Sequence, residues 1–147
     1  MGKKNKQDPS LLFDQYYREI WCDRWLDLKE ALKEEKNTQV SINVTTPPYW
    51  LDEASLLTAS LLPVSIGSTV LDMCAAPGGK SLVLARAIGK TGFLTANDRS
   101  PDRRERLRKV LYSLTDDIRP EIRITGFNAE SWGLYEKDAY DFVLLDA

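Results

Sequence analysis

Apolar residues recur every three to four positions from Leu11 to about Glu35, which predicts an amphipathic helix over that range. The apolar positions are Phe13, Tyr16, Tyr17, Ile20, Trp21, Leu28 and Leu32. The opposite face is rich in acids and lysines. We expect the aromatic face to dock onto a core; a face for a partner protein or an RNA is the alternative.

The pattern changes after that helix. Val40–Val44 alternates and predicts a short strand, and Asp52 is a suitable N-cap for a helix that runs to Leu62. Four further strands are predicted, with helices at 82–88 and 101–114 between them. The four runs are Thr69–Met73, Phe93–Asn97, Glu121–Thr125 and Asp141–Leu145. Strands that alternate with helices predict an α/β fold with a parallel sheet, here in the order 3-2-1-4 counted from Thr69.

The fourth run, Phe142 to Leu145, is almost continuously apolar, which is typical of a strand buried on both faces. Nothing follows it in the chain that would cover its outer edge. We therefore expect a part of a longer protein, in which a missing C-terminal half or a second protein covers this strand. The predicted domains are a helical extension and linker over 1–48 and a domain over 49–147 that is truncated after the fourth strand.

Composition restricts the chemistry. The chain has 147 residues, no histidine, two cysteines and a net charge of −2. These counts exclude histidine general bases, histidine zinc sites and a disulfide framework, and they predict no metal site. No apolar run reaches the roughly 20 residues of a membrane span, so we expect no membrane association and a reducing, cytoplasmic setting.

A basic run follows the second strand of the sheet, and two interpretations remain open. The run consists of Arg99, Arg103, Arg104, Arg106, Arg108 and Lys109. Its cations alternate with acids, which favours a solvated helix face. The second interpretation is contact with an RNA backbone, which the low net charge would confine to a local patch.

The stretch between the first strand and its helix has the layout of a cofactor loop. Asp72 ends the strand, and a run of alanine, proline and two glycines leads to Lys80 at the helix start. The glycines form neither a G-x-G-x-x-G motif nor a P-loop, which argues against a dinucleotide-dependent oxidoreductase and favours a ligand without pyrophosphate. Asp98 lies roughly 20 residues further on, where a carboxylate accepts hydrogen bonds from ribose hydroxyls.

Polar residues also end the third and fourth strands, at Asn128 and Asp146. The carboxyl ends of parallel strands meet at one edge of the sheet, where open α/β sheets bind ligands. An adenosine site without pyrophosphate matches S-adenosylmethionine.

Three segments resemble successive motifs of the Sun-type (Nop/Sun) RNA cytosine-5 methyltransferases. They are Val70–Ser81, Ala96–Arg103 and Asp141–Ala147. Leu51–Ser55 also resembles the segment that leads into the catalytic domain of that family. The resemblance implies half of a class I, Rossmann-like methyltransferase sheet, S-adenosylmethionine as cofactor, and formation of 5-methylcytosine in rRNA or tRNA.

The resemblance also implies residue roles. The loop around the methionine part of the cofactor would be Cys74, Ala75, Ala76, Pro77, Gly78, Gly79 and Lys80. Asp98 would hold the ribose with support from Arg103, while Asn128 and Ala129 would meet the adenine. Asp146 would close the site near the transferred methyl group.

The sequence departs from the family pattern in two places. Asn128 stands where an aspartate is usual, which removes the charge-assisted part of the bond to adenine. The family's catalytic cysteines, in a Pro-Cys and a Thr-Cys, are absent, and we expect neither Cys22 nor Cys74 to replace them. We therefore expect no turnover by this chain alone. A catalytically inactive module that holds cofactor or RNA for a partner is the alternative.

Overall fold

The computed structural model describes residues 8–33, 39–42 and 44–147. It divides the chain into two compact units, residues 1–37 and 38–147. The division predicted from the sequence, an extension over 1–48 and a truncated domain over 49–147, stays a prediction. Among the described residues, no helix is both long and apolar enough to cross a membrane.

The first unit contains two helices, α1 (Pro9–Trp21) and α2 (Arg24–Lys33), so the prediction of one helix from Leu11 to Glu35 is wrong. Cys22 has a positive φ of 49°, which ends α1 and lets the chain turn back. Trp25 then packs against the rings of Phe13 and Tyr17, and it is the buried residue of the pair of helices. An Asp14–Lys29 ion pair also joins the two helices.

The second unit starts with an antiparallel hairpin of β1 (Gln39–Ile42) and β2 (Tyr49–Asp52). The sequence predicted a single strand there; its residue Asn43 lies outside the described residues. The helix α3 (Glu53–Ser60) follows directly. Its N-cap is Asp52, as predicted, with a carboxylate oxygen that accepts from the Ser55 N–H at 2.8 Å.

A four-stranded parallel sheet forms the centre of the unit, with the helices α4 (Gly79–Ile88) and α5 (Pro101–Leu111) in its crossovers. Its strands are β3 (Thr69–Asp72), β4 (Phe93–Asn97), β5 (Glu121–Thr125) and β6 (Phe142–Leu144). The order along the whole chain is β5-β4-β3-β6, not 3-2-1-4, because the hairpin adds two strands ahead of the sheet. Counted from the first strand of the sheet, both orders describe the same neighbours.

The two faces of the sheet differ. Val70, Leu94 and Leu144 face a core that α4 and α5 complete with Leu82, Ile88 and other fully buried apolar residues. On the opposite face, Val143 is 47% exposed. The strand β6 is therefore buried on one face, whereas its apolar sequence predicted burial on both. Its one paired neighbour among the described residues is β3.

Candidate functional site

Two adjoining cavities lie at the carboxyl edge of the sheet. The smaller, of about 360 Å³, is lined by the hairpin and the β3–α4 loop. The larger, of about 740 Å³, is lined by the ends of β4, β5 and β6. Cys74, Arg103 and Asp146 line both cavities, so the two form one continuous candidate site. Their volumes are within the range of ordinary ligand pockets.

The β3–α4 loop turns sharply because two glycines allow close packing behind it. Gly78 has a φ of +119°, and a Cβ there would lie 2.9 Å from Val110 Cγ1. A Cβ on Gly79 would lie 2.5 Å from Leu51 Cδ1. Gly78 caps α4 without a side-chain hydrogen bond, so the first N–H groups of α4 keep their donors for a ligand.

Asp72 fastens the start of the loop to the helix that follows. Its carboxylate is buried and accepts from Ser81 Oγ at 2.6 Å. Burial raises the pKa of Asp72 to about 6, although hydrogen bonds from Ser81 and the Cys74 N–H and the charge of Lys80 act in the opposite direction. Asp72 also lines the smaller cavity, so a proton held there changes the charge of the site near neutral pH.

Asp98 and Arg103 form the boundary between the cavities. Asp98 is 4% exposed, and its carboxylate lies 3.4 Å from the Arg103 guanidinium. Arg103 stands in the first turn of α5 and donates a second bond, at 2.6 Å, to the carbonyl of Ala76. One guanidinium thus ties the acid after β4 to the loop after β3.

An ion pair between Lys80 and Asp146 joins the start of α4 to the end of β6. Lys80 Nζ lies 2.6 Å from an Asp146 carboxylate oxygen, and both side chains are partly exposed to the smaller cavity. The pair places one cation and one anion where the two cavities meet. Residue Ala147 lies next to it, in the wall of the larger cavity.

The segment after β5 forms the far wall of the larger cavity. Asn128 and Ala129 lie there with Phe127, whose ring is 58% exposed. The Asn128 amide oxygen accepts from the Glu130 N–H at 3.3 Å and caps a 3-10 helix, Ala129–Leu134. The sequence indicated a ligand group at Asn128 and gave no signal for this role as a cap.

All twelve residues named from the sequence lie at this edge of the sheet. Eleven of them line a cavity, among them Gly79 at the start of α4. The twelfth, Gly78, lies behind the loop against α5.

Several lining residues were absent from the sequence-based site. The hairpin and α3 contribute Tyr49, Trp50, Asp52 and Ser55, and the strand ends contribute Asp72 and Asn97. The signal for the hairpin residues was the Leu51–Ser55 segment. It resembles a segment of the family, but nothing in it indicated a position at the cavity. For Asn97 the signal was an asparagine inside a buried strand, where that residue is depleted.

The structure gives no sign of a reactive cysteine. Cys74 lies in the loop, where burial and the nearby carboxylates of Asp72 and Asp98 raise the pKa of its thiol. A raised pKa disfavours the thiolate that a nucleophile needs. Cys22 is exposed in the first unit. Within the described ranges, no cluster of three or more acids and cysteines is arranged to hold a metal ion.

The basic run divides into two groups. Arg104 donates to the carbonyls of Asp98 and Arg99 at 2.7 and 2.9 Å and lies against Gly126, so it supports the acid loop from behind. Arg108 and Lys109 point along α5 and pair with Glu105 at 3.4 and 3.7 Å. These exposed pairs fit a solvated helix face, the first interpretation of the run.

Comparisons with known proteins give a consistent result. The family model "16S rRNA methyltransferase RsmB/F" matches residues 59–147. The 5-cytosine rRNA methyltransferase NSUN4 of Mus musculus is 48% identical over 101 residues, which are 67% of this chain and 26% of that protein. A tRNA (cytosine(34)-C(5))-methyltransferase, mitochondrial, of Danio rerio is 40% identical over 100 residues, 67% of this chain and 27% of that protein. The chain therefore spans about a quarter of the length of these curated relatives.

Solved structures share the fold. NSun6 from Pyrococcus horikoshii, solved with SFG, has a TM-score of 0.58 and 26% identity over 67% of this chain and 25% of that chain. The structure of PH0851 has a TM-score of 0.70 over 99% of this chain and 45% of that chain, at 20% identity, which shows the fold alone.

Proposed function

Because the chain belongs to the RsmB/F (NOL1/NOP2/Sun) family of S-adenosylmethionine-dependent RNA methyltransferases, we propose that it forms the cofactor-binding part of an enzyme that makes 5-methylcytosine in rRNA or tRNA. Relatives named for both classes of RNA support the two substrates. The cofactor supplies a methyl group on a positively charged sulfur.

One observation carries the proposal. Arg103 holds the buried carboxylate of Asp98 and the carbonyl of Ala76 together, at the boundary of the two cavities. A carboxylate after the second strand of such a sheet is placed to accept from ribose hydroxyls. The same guanidinium fixes that carboxylate relative to the glycine loop, so a single ligand can contact both. This supports an adenosine ligand whose remainder lies along the loop.

The proposed roles follow from the cavities. The adenosine part occupies the larger cavity, with Asp98 on the ribose and Asn128 and Ala129 beside the adenine. The amino acid part extends along the loop toward the smaller cavity, where the free N–H groups at the start of α4 attract a carboxylate. The members of that loop are Cys74, Ala75, Ala76, Pro77, Gly78, Gly79 and Lys80.

Lys80 and Asp146 are proposed to flank the transferred methyl group. Their ion pair lies where the cavities join, so it fixes the Asp146 carboxylate at the place where the target base would enter. A carboxylate at that place can accept a hydrogen bond from an exocyclic amino group of a base. Asp146 therefore orients the acceptor, and Lys80 holds Asp146 in position.

We propose that this chain alone does not transfer a methyl group. Carbon 5 of cytosine becomes nucleophilic only after a thiolate has added to carbon 6, so the reaction requires a reactive cysteine. The raised pKa of Cys74 argues against that cysteine, and Cys22 lies outside the segments that resemble the family's motifs. A reading frame that continues past Ala147 with Pro-Cys favours the enzyme over the inactive binding module.

Isothermal calorimetry tests the cofactor site. The 147-residue chain should bind S-adenosylhomocysteine and S-adenosylmethionine and should show no heat with NAD under the same conditions. Binding of NAD with equal affinity, or of none of the three, would contradict the proposal. Incubation with radiolabelled S-adenosylmethionine and an rRNA or tRNA transcript should give no labelled RNA, and labelled RNA would overturn the role given to the missing cysteines.

The compartment stays a prediction. The sequence led us to expect the cytoplasm, whereas the Danio rerio and Mus musculus tRNA methyltransferases among the relatives are named as mitochondrial. Fractionation of cells that express the tagged parent protein separates the two. RNA as a partner follows from the family, and a second protein or a C-terminal half over β6 remains a proposal.

A further inference from the structure

Asn97, the last residue of β4, lies between the two walls of the candidate site. Its side-chain N–H groups donate to the carbonyl of Met73, in the loop after β3, and to the carbonyl of Phe127, after β5. The two distances are 3.0 and 3.1 Å. Its side-chain oxygen accepts from the Phe127 N–H at 2.8 Å and from the Thr125 hydroxyl at 2.9 Å.

The partners use the full capacity of the amide. Asn97 is 1% exposed, and its two donors and two acceptor positions are all occupied. The partners also fix the orientation of the amide, because two carbonyl oxygens require the NH₂ group and an N–H donor requires the oxygen. The backbone contributes as well: the Ala75 N–H donates to the Asn97 carbonyl at 2.8 Å.

The contacts of the loop and of the β5 segment differ in kind. The loop has many other anchors, among them Asp72, Arg103 and the packing at the two glycines. For Phe127, the hydrogen bonds found in the described part of the chain lead to Asn97, at both its N–H and its carbonyl. The Phe127 ring also packs on the buried Trp132, but among these contacts Asn97 is the side chain that joins this wall to the loop by hydrogen bonds.

We propose that Asn97 is a positioning residue that sets the separation between the loop after β3 and the segment after β5. This inference rests on the proposed cofactor site, since those two segments are the walls that would hold the two ends of one ligand. A ligand that reaches both walls gains affinity only while they keep the right separation. A ligand confined to the larger cavity meets the loop only at its first residues, Met73 and Cys74, so its binding depends less on that separation.

The test compares two ligands on the full chain by calorimetry. S-adenosylhomocysteine reaches both walls, and adenosine occupies the larger cavity alone. Asn97→Asp keeps the shape and both acceptor contacts but removes the donors to Met73 and Phe127 and places a carboxylate against their carbonyls. We expect it to weaken the binding of S-adenosylhomocysteine by about tenfold or more and the binding of adenosine by less than about twofold. The affinity for S-adenosylhomocysteine divided by the affinity for adenosine should therefore fall.

Two controls separate positioning from stability. Ile88→Ala opens a cavity at the far end of α4, where Ile88 packs on Gly92, and it should lower stability without changing the ratio. Thr125→Val removes one donor to Asn97 and should give a small fall in the ratio. If Asn97→Asp does not fold, Asn97→Ser, which brings no buried charge, carries the same expectation.

The outcomes are distinct. An unchanged ratio in a folded Asn97 variant overturns the positioning role and leaves the cofactor site intact. Equal losses for both ligands, matched by Ile88→Ala, show a structural role only and overturn it as well. A wild-type chain that does not prefer S-adenosylhomocysteine over adenosine contradicts the cofactor site itself, and this inference with it.

Discussion

The two walls of the candidate site are built in opposite ways. In the loop after β3, Ala75 and Ala76 are 4% and 5% exposed, and the glycines pack against side chains from two other elements. In the segment after β5, Phe127 and Asn128 are exposed, and Phe127 is held by hydrogen bonds to Asn97 together with one ring contact to Trp132. The first wall is set by packing, whereas the second is set by a few polar contacts.

The difference shows which kind of contact each wall can offer. A packed wall cannot move without opening a cavity in the core, so it presents a fixed row of backbone groups. A wall held by a few hydrogen bonds keeps its position only while those bonds are intact. Substitutions in the loop should therefore appear first as a loss of stability, and substitutions after β5 as a change in affinity.

The largest effect is expected at Gly78. Gly78→Ala forces a side chain into a left-handed conformation and places its Cβ 2.9 Å from Val110 Cγ1. We expect a loss of about 4 kcal/mol of unfolding free energy, from backbone strain and overpacking together. Urea denaturation measures it. Gly133→Ala is the matched control, because no atom lies within 4 Å of a Cβ there, and equal losses in both variants would show that the loop is not the packed wall described.

Asp72 makes the stability of the same wall depend on pH. Its folded pKa of about 6 lies above its ordinary value of 3.8, so the folded state binds this proton more tightly. Its stabilising contribution to the free energy of unfolding is complete below about pH 4. That contribution, roughly 3 kcal/mol, is lost as the pH rises through about 6. Urea denaturation from pH 4 to 7 should show this slope in the wild type relative to Asp72→Asn.

Ser81→Ala provides a control for that slope. Removal of the Ser81 hydroxyl takes away a hydrogen bond that lowers the pKa of Asp72. The loss of stability should then shift to higher pH. Parallel pH profiles for the wild type and Asp72→Asn would show that Asp72 does not titrate in this range.

Between the two walls, Asp98→Asn should change affinity more than stability. The variant keeps the size of the side chain but removes the charge from its pairing with Arg103 and from the proposed bonds to a ribose. We expect S-adenosylhomocysteine to bind about 2 kcal/mol more weakly by calorimetry. Asp102→Asn, an exposed acid in the first turn of α5, should leave the affinity unchanged, and a similar loss there would point to a general charge effect.

The smallest effect is expected at Asn128, in the wall formed by the segment after β5. Asn128→Asp restores the charge that the family pattern leads us to expect beside the adenine, and it keeps the cap on the Glu130 N–H. A charge-assisted bond should improve the affinity for S-adenosylhomocysteine by about 0.5–1 kcal/mol. Calorimetry of both proteins measures the difference, and an unchanged or lower affinity would count against a role for Asn128 at the adenine.

Much of the fold could be predicted from the sequence because the parallel sheet follows local rules. The runs Phe93–Asn97 and Glu121–Thr125 are strands with the predicted bounds, and Ser100 with Pro101 begins α5. The first unit was predicted wrongly because periodicity continues across Cys22 even though the helix does not. The turn at Cys22 and the packing of Trp25 onto α1 divide the predicted helix into two.

The site was predictable in part for a similar reason. Strand ends such as Asp98 and Asp146 meet at one edge by topology, so their proximity can be read from the order of the strands. The hairpin residue Tyr49 reaches the same cavity from a distant part of the chain, and no local rule places it there. The bonds of Asn97 and Arg104 to backbone carbonyls were likewise invisible, because they depend on where other segments end.

Leu51 of the hairpin rests where a side chain on Gly79 would be, so the start of α4 is completed by residues 28 positions earlier in the chain. The glycine loop therefore depends on the hairpin for its packing and cannot be moved to another protein by itself. If the loop were grafted with β3 and α4 onto another sheet, Gly79 would have a void above it unless the hairpin came with it. A transplant of this turn should therefore include residues 39–88 as one segment.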